Sequence, residues 1–313
     1  MILRRAALVA GVAVLATALT GCGAPSTPTA SDGSQPLDIA VAFYPFQFVA
    51  ERVAGDHAVV ENLTAPGAEA HDVELTPRQL GDLAAADLVV LQSGFQPAVD
   101  AALDQVDVAR VVDAADVVQF LDAEGDDHDH EGEADDHDHG GLDPHTWLDP
   151  TNLAAVTEAV RDALVEIAPQ YADDFNANAD ALLADLAQLD ADYAAGLANC
   201  ERRTFVTSHA AFGYLANRYK LEQVGIRGLE PEVEPTAARI AEVQQLTRDR
   251  GVTTIFFETL VSPVVAESIA GDLGLTTAVL DPLEGLTDAS PGDDYLEVMR
   301  ANLAALEKAN GCS

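Results

Sequence analysis

The chain has 313 residues, 48% of them hydrophobic, and its 53 acidic and 16 basic residues give a formal net charge of −37. This apolar fraction is typical of a globular protein, while an acidic field of this size repels phosphates and attracts cations. The charge therefore argues against nucleic acid as a partner. It is compatible with a cationic ligand, but also with a solubilising acidic surface that binds nothing specific.

Residues 1–21 are predicted to be an export signal, because a basic pair precedes an apolar run over residues 6–19 that is too short for a stable membrane span. The run ends in Leu-Thr-Gly-Cys, which resembles the bacterial lipobox, in which the chain is cut before the cysteine. Cys22 is then the expected lipidation site, and cleavage to a free soluble protein is the alternative. Residues 22–36 are small, polar and rich in proline, as expected of a tether between anchor and folded body.

Short strand-like runs alternate with helix-like runs after the tether, which is the pattern of parallel α/β layers. Strands are predicted over residues 37–43, 57–63, 87–92, 109–114, 203–208, 221–227, 252–258 and 276–281. Helices are predicted over residues 45–55, 76–86, 209–220, 235–250, 262–274 and 293–311. We therefore expect an α/β protein with two lobes, at 37–170 and 199–313, each a mostly parallel sheet flanked by helices.

Residues 171–198 are predicted to form one long rigid helix that joins the lobes. Glycine and proline are absent from this segment until Gly196, and its larger apolar residues recur at intervals of three, four or seven, which marks a single helical stripe. The stripe consists of Phe175, Leu182, Leu186, Leu189, Tyr193 and Leu197. An ordinary lobe helix broken near Asn178 is the alternative.

Cys200 and Cys312 are the two cysteines that remain after Cys22. An even pair in an oxidising compartment is more often a disulfide than a metal site. We therefore predict a bond between them, with two buried free thiols as the alternative.

Four potential metal ligands fall at comparable places in this arrangement. His71 follows the second predicted strand, His145 precedes a helix that begins near Thr151, His209 follows the strand at 203–208, and Asp281 ends the strand at 276–281. Loops at the carboxyl ends of parallel strands form the ligand crevice of open α/β sheets. Each lobe would then contribute two ligands to a cleft, although any one of these residues alone would be weak evidence.

Four motifs in this order, AHDVELTP, DPHTWLDP, TSHAAFGYLA and LDPLEG, resemble the metal-binding lipoproteins of bacterial zinc and manganese ABC importers, the cluster 9 or A-I family. The resemblance covers nearly the whole mature chain. It implies two α/β lobes joined by one long helix, with a metal buried between them and delivered to a membrane permease. Carried onto this sequence, it implies His71, His145 and His209 as ligands, with Asp281 beside them.

The donor set favours Zn²⁺ as the transported ligand. Three imidazoles and one carboxylate suit tetrahedral zinc, whereas manganese prefers more oxygen donors and a higher coordination number. Zinc members of the family often have a glutamate directly before the first histidine, and this chain has Ala70 there, with Glu69 one residue further back. Asp281 is therefore the expected fourth ligand, with water as the alternative.

The loop over residues 122–143 holds a second group of histidines among acidic residues, namely His128, His130, His137 and His139. Such spacing allows many transient chelates but imposes no single geometry, so we expect weak and exchangeable metal binding. Insertions of this kind are common in the zinc branch of the family. A solvated loop without a role is the alternative.

These expectations describe a protein that is not an enzyme: an exported monomer, lipid-anchored to the outer face of the cytoplasmic membrane or periplasmic, that binds zinc and a permease. A manganese-binding member of the same family is the nearest alternative. A secreted zinc hydrolase with Glu258 as general base is a second, although the chain lacks a HExxH motif. A third is a lipoprotein adhesin with a structural zinc.

Overall fold

The computed structural model describes residues 35–122 and 141–313. Residues Pro36–Ser313 form one compact unit. The predicted export signal, Cys22 and the loop histidines His128, His130, His137 and His139 lie outside the described residues. Within the described ranges, every helix is too short or too polar to cross a membrane.

The first lobe is built on a sheet of four parallel strands in the spatial order β2-β1-β3-β4. The strands are β1 (Leu37–Val41), β2 (Ala58–Asn62), β3 (Leu88–Leu91) and β4 (Val111–Asp113). The helices are α1 (Tyr44–Ala54), α2 (Pro77–Ala85), α3 (Pro97–Leu103) and α4 (Pro150–Ile167). Every residue of β3 is buried, as expected for a strand covered on both faces of a parallel sheet.

The second lobe repeats this topology in the order β6-β5-β7-β8, again with all strands parallel. The strands are β5 (Thr204–Thr207), β6 (Glu222–Gly225), β7 (Thr254–Phe257) and β8 (Thr276–Val279). After α5, described below, the helices are α6 (Gly213–Tyr219), α7 (Ala237–Asp249), α8 (Val264–Leu273) and α9 (Tyr295–Asn310). The carboxyl ends of the strands carry the loops that form the site, as the rule for open α/β sheets predicts.

The connecting helix α5 runs without a break over Ala172–Gly196. At 1.5 Å per residue its length is about 37 Å. All six residues of the predicted apolar stripe are buried, so the continuous helix is confirmed and the alternative with a break near Asn178 is wrong. Tyr193 on this helix donates a hydrogen bond of 2.6 Å to the carbonyl oxygen of Met299 on α9, which fixes the strut against the last helix.

Local signals explain several helix ends. Thr76 caps α2 with a capping box in which Thr76 and Gln79 satisfy each other's backbone groups, and Pro77 occupies the first turn. Asp149 caps α4 in front of Pro150. The helix predicted over residues 262–274 begins two residues later, at Val264, and has Pro263 at its N-cap position.

The helix predicted over residues 209–220 begins only at Gly213. The residues before it are held by other bonds: the carbonyl of His209 accepts from the Thr207 hydroxyl, and the amide of Ala210 donates to the Gly228 carbonyl. Because these backbone groups are satisfied outside a helix, His209 stays in a strand-end loop.

Cys200 and Cys312 form the predicted disulfide. It joins the segment before β5 to the residue that follows the glycine cap of α9. The bond therefore lies at the amino end of β5, opposite the loops at the carboxyl ends of the strands.

Candidate metal centre

The structure brings His71, His145, His209 and Glu284 into one buried cluster. The Nε2 atoms of His71 and His145 lie 3.5 Å from Oε1 of Glu284, and Nε2 of His209 lies 3.4 Å from it. The Nε2 atoms of His145 and His209 are 3.4 Å apart. All four side chains are at most 6% exposed, so four potential ligand atoms converge on one point away from water.

These distances match the shape of a tetrahedral zinc site. Zinc bonds of about 2.0–2.1 Å to nitrogen and oxygen place neighbouring ligand atoms roughly 3.3–3.4 Å apart in a regular tetrahedron. The Nε2 atom of His71 and both carboxylate oxygens of Glu284 are buried without a hydrogen-bond partner. Because buried polar atoms are rarely left unpaired, this arrangement points to an ion that the residues are placed to hold.

Each ligand comes from a different connection in the fold. His71 lies in the long loop between β2 and α2, and His209 in the loop after β5. His145 precedes the 3-10 helix Thr146–Leu148, which leads into α4. Glu284 lies in the loop after β8. The cluster thus joins two residues from each lobe.

Two of the three histidine rings are oriented by a carboxylate of their own lobe. Asp143 Oδ1 lies 2.8 Å from Nδ1 of His145 and also accepts the backbone amide of that residue at 2.9 Å. Glu258 Oε1 lies 2.8 Å from Nδ1 of His209 and also accepts the hydroxyl of Ser208. A carboxylate at Nδ1 fixes the tautomer in which Nε2 is free to bind a metal.

The structure places Asp281 outside the cluster, against the expectation from sequence. Its Oδ1 accepts the amide of Leu283 at 2.8 Å and its Oδ2 accepts the hydroxyl of Thr259 at 2.9 Å. Asn302 bonds both backbone groups of Asp281, at 2.7 and 3.0 Å. Asp281 therefore shapes the loop, and Glu284, which the sequence reasoning missed, takes the position beside the histidines.

The turn between these two acids explains the difference. Leu283 adopts a φ of 61°, which is uncommon for a residue with a branched side chain. The bond from its amide to Asp281 is the local side-chain turn typical of aspartate. The strand β8 ends at Val279, and this turn after it leaves Glu284 in the cluster and Asp281 outside it.

The charges in the cluster change the protonation of its members. Burial lowers the pKa of His71, but Glu230 and Glu284 outweigh burial and raise that pKa to about 10. Burial likewise lowers the pKa of His209, and Glu258 and Glu284 raise it well above its usual value. Burial raises the pKa of Glu284, but the three histidines hold it well below the ordinary range. These shifts describe a network of ion pairs between protonated histidines and ionised carboxylates.

Glu69 is close to the cluster but does not belong to it. Its Oε1 accepts the backbone amide of His71 at 3.1 Å, and its other oxygen is buried without a partner. Burial and then the charge of Glu284 raise its pKa to about 7. The side chain of Glu69 therefore supports the His71 loop, and Ala70, also buried, occupies the position where zinc members often have glutamate.

Two parallel α/β lobes joined by a long helix, with four buried ligand atoms from both lobes, define a two-lobed binding protein with a metal site. Comparison with known proteins names the family. The model of the family described as zinc-uptake complex component A, periplasmic, matches residues 39–309. The chain belongs to this family.

Named relatives agree with this assignment. The zinc-binding lipoprotein AdcA of Streptococcus pneumoniae is 35% identical over 87% of this chain, which spans only 55% of that relative. The high-affinity zinc uptake system protein ZnuA of Bacillus subtilis is 32% identical over 92% of each chain. The Zn(II)-bound ZnuA-like domain of pneumococcal AdcA is similar in structure, with a TM-score of 0.74, 34% identity, and coverage of 88% of this chain and 99% of that domain.

Proposed function

We propose that the protein captures Zn²⁺ outside the cytoplasm and delivers it to the permease of an ABC importer. The observation that carries the proposal is the convergence of three imidazole nitrogens and one carboxylate oxygen at 3.4–3.5 Å spacing. This donor set and spacing suit tetrahedral zinc, whereas manganese would take more oxygen ligands. The zinc binding named for the pneumococcal relative and the zinc uptake named for the Bacillus subtilis relative support the same cargo.

The ligands we propose are His71, His145, His209 and Glu284. Glu284 replaces Asp281 in this set because both oxygens of Asp281 are used by other residues. Asp143 and Glu258 hold two of the rings in the required orientation.

Export and anchoring complete the proposal. We infer that the export signal is removed, that Cys22 is lipidated, and that the mature chain works as a monomer tethered to the outer face of the membrane. The lipoprotein description of the pneumococcal relative supports the anchor. The loop histidines His128, His130, His137 and His139 would supply weak accessory binding.

A hydrolase fits the site less well. Catalytic zinc keeps one position for water, whereas four protein ligands close the tetrahedron. Glu258, the residue that would serve as general base, is engaged by His209 and Ser208. It therefore supports a ligand rather than facing a substrate.

The test begins with elemental analysis of the folded chain purified without added metal, followed by competition among zinc, manganese and nickel. We expect one tightly bound zinc for each chain. A chelator should remove that zinc while the chain stays folded, because a transported ion must leave a folded protein, whereas a structural zinc leaves only on unfolding. Preference for manganese, or unfolding on zinc removal, would contradict the proposal, and His145→Ala serves as the control for site occupancy.

A further inference from the structure

His71 differs from His145 and His209 because the carboxylate that faces its Nδ1 atom comes from the opposite lobe. Nδ1 of His71 faces Oε2 of Glu230 at 3.5 Å, compared with 2.8 Å for the pairs that orient His145 and His209. Those two pairs lie within single lobes. His71 belongs to the first lobe, and Glu230 belongs to the loop between β6 and α7 of the second lobe.

The surroundings of the three carboxylates also differ. The side chains of Asp143 and Glu258 are 5% and 2% exposed, whereas 63% of the Glu230 side chain is exposed. Because Glu230 belongs to the second lobe and His71 to the first, the distance between them depends on how closely the two lobes approach at this edge of the cleft.

Apart from Glu284 at Nε2, the other contacts of the buried His71 ring are with rings. Its loop runs between β2 and α2 without a helix or strand. Glu69 accepts the backbone amide of His71 rather than a ring nitrogen, and the edge-on contact with Phe95 at 4.7 Å between ring centres is apolar. Of the partners that the structure gives the Nδ1 atom, Glu230 alone is a carboxylate within ion-pair distance.

We propose that Glu230 is a positioning residue that orients His71 from across the cleft, so that the shell of the metal is complete only when the lobes are together. This rests on the proposed function, because His71 must be a zinc ligand. Asp143 and Glu258 each orient a ring that belongs to their own lobe. Glu230 therefore makes the orientation of the His71 ring depend on the approach of the two lobes. When the contact with Glu230 is lost, His71 is no longer held in position to bind the metal.

The consequence is a specific effect on zinc release. Removing an outer partner of a ligating histidine typically costs 10-fold to 100-fold in metal affinity. Because Glu230 acts after the lobes have met, the loss should fall on the dissociation rate. The association rate should stay close to that of the parent chain.

The same loop provides matched controls. Glu232 and Glu234 are exposed acids within four residues of Glu230. Replacing either with alanine removes the same charge from the same loop and leaves His71 Nδ1 with its carboxylate. Replacing Glu230 with glutamine removes the charge but keeps an oxygen acceptor.

The experiment compares the chains Glu230→Ala, Glu230→Gln, Glu232→Ala and Glu234→Ala with the parent. Zinc affinity is measured by chelator competition, the dissociation rate by transfer to excess chelator, and the environment of the His71 Nδ1–H group by nitrogen NMR of the zinc-bound imidazoles. We expect Glu230→Ala to release zinc about tenfold faster and to shift the Nδ1 resonance of His71 while those of His145 and His209 stay in place. Glu230→Gln should recover most of the affinity, and both controls should match the parent.

The outcomes separate the two claims. Parent-like zinc release by Glu230→Ala overturns the role of Glu230 and leaves the proposed function standing. Equal losses in Glu230→Ala and Glu232→Ala overturn it as well, because charge alone would then explain the effect. A parent chain that binds no zinc overturns the proposed function itself.

Discussion

Trp147 and Pro282, which belong to different lobes, are joined by a hydrogen bond of 2.7 Å from the indole N–H to the carbonyl oxygen. Trp147 follows His145 by two residues, and Pro282 precedes Glu284 by two. Tyr295 on α9 donates at 2.6 Å to the carbonyl of Trp147. A short hydrogen bond thus joins the two lobes next to His145 and Glu284. On the side of the cleft that holds His71, the lobes are joined by the longer contact of 3.5 Å between His71 and Glu230.

The hydrogen bond between Trp147 and Pro282 predicts the effect of Trp147→Phe. Phenylalanine keeps an aromatic ring against Phe43 and Phe95 but leaves the Pro282 carbonyl without its donor. We expect a loss of about 1–3 kcal/mol in the free energy of unfolding, the usual result of leaving a buried polar group unpaired. Zinc affinity should also fall by about tenfold, because His145 and Glu284 lose their common support.

Denaturant unfolding and chelator competition measure the two effects separately. Tyr193→Phe is the control, since it removes a buried hydroxyl whose partners are on α9 rather than in the cluster. It should lose comparable stability and retain its zinc affinity. An unchanged zinc affinity in Trp147→Phe would show that the hydrogen bond from Trp147 to Pro282 does not position His145 and Glu284.

The two acids of the loop after β8 give a second prediction. Glu284→Gln removes the carboxylate of the cluster and should weaken zinc binding by more than tenfold, since an amide is a poorer ligand for zinc. Asp281→Asn keeps an oxygen for the amide of Leu283 and a polar group for Thr259, so it should change the affinity less than threefold, roughly 0.6 kcal/mol. The measurement is chelator competition at constant pH. The reverse order of effects would restore Asp281 as the ligand.

The loop after β8 illustrates which ligands could be predicted from the sequence and which could not. Strand order brings strand ends together from distant parts of the chain, so His71 and His209 could be placed from the alternation of strands and helices alone. The fourth ligand depends on where β8 ends and on the φ of 61° at Leu283. Neither is encoded in a periodic pattern. The usual role of a strand-end aspartate, a local turn, was the correct one for Asp281.

Other parts of the site depended on tertiary contacts that no local signal carries. The sequence suggests only a general-base role for Glu258, yet in the structure Glu258 orients His209 from the neighbouring strand. Glu230 reaches His71 from the opposite lobe. The long helix, of 25 residues, was predictable because the apolar residues of its stripe recur with a single helical period.

Zinc binding should release protons. The raised pKa values of His71, about 10, and of His209 leave both imidazoles protonated at neutral pH in the metal-free protein. Zinc binds only the neutral ring, so apparent affinity should fall as the pH decreases. Calorimetry in two buffers with different heats of ionisation counts the protons released. His57→Ala, outside the cluster, should leave the count unchanged, and a count of zero would contradict the predicted protonation.

The same shifts predict the pH dependence of metal-free stability. A histidine with a raised pKa stabilises the fold fully below its unfolded value, about 6.5, and this contribution is lost as the pH rises through about 10. The lowered pKa of Glu284 gives a contribution that is present above its unfolded value and lost in acid. We therefore expect the highest melting temperature of the metal-free chain at about pH 5–6. A melting temperature that rises steadily from pH 6 to pH 10 would be inconsistent with these shifts.

The disulfide should affect stability without affecting the site. Its two cysteines are separated by 112 residues. On the chain-entropy model, a loop of this length gives about 4–5 kcal/mol, often less in practice. Replacing both cysteines with serine should lower the melting temperature and leave zinc affinity unchanged, because the bond lies at the opposite end of the sheet from the ligands. A large loss of affinity in the folded double variant would contradict this separation.

Deleting residues 124–140 tests the division of the histidines into two groups. The chain ends that flank this segment are close together, because Asp122 and Leu142 form an antiparallel bridge and the amide of Asp143 donates to the carbonyl of Leu121. A short connection should therefore close the gap without moving Asp143, whose carboxylate orients His145.

We expect the deletion variant to bind the tight zinc ion with unchanged affinity and to lose only the weakly bound additional zinc ions. Titration of the parent and the deletion variant with zinc measures both classes of site, and uptake by cells under zinc scarcity measures any effect on capture. Because the deleted histidines would raise the local zinc concentration without bonding to the buried ion, their loss should slow capture and leave dissociation unchanged. A tenfold loss of affinity at the tight site would show that a deleted residue belongs to it.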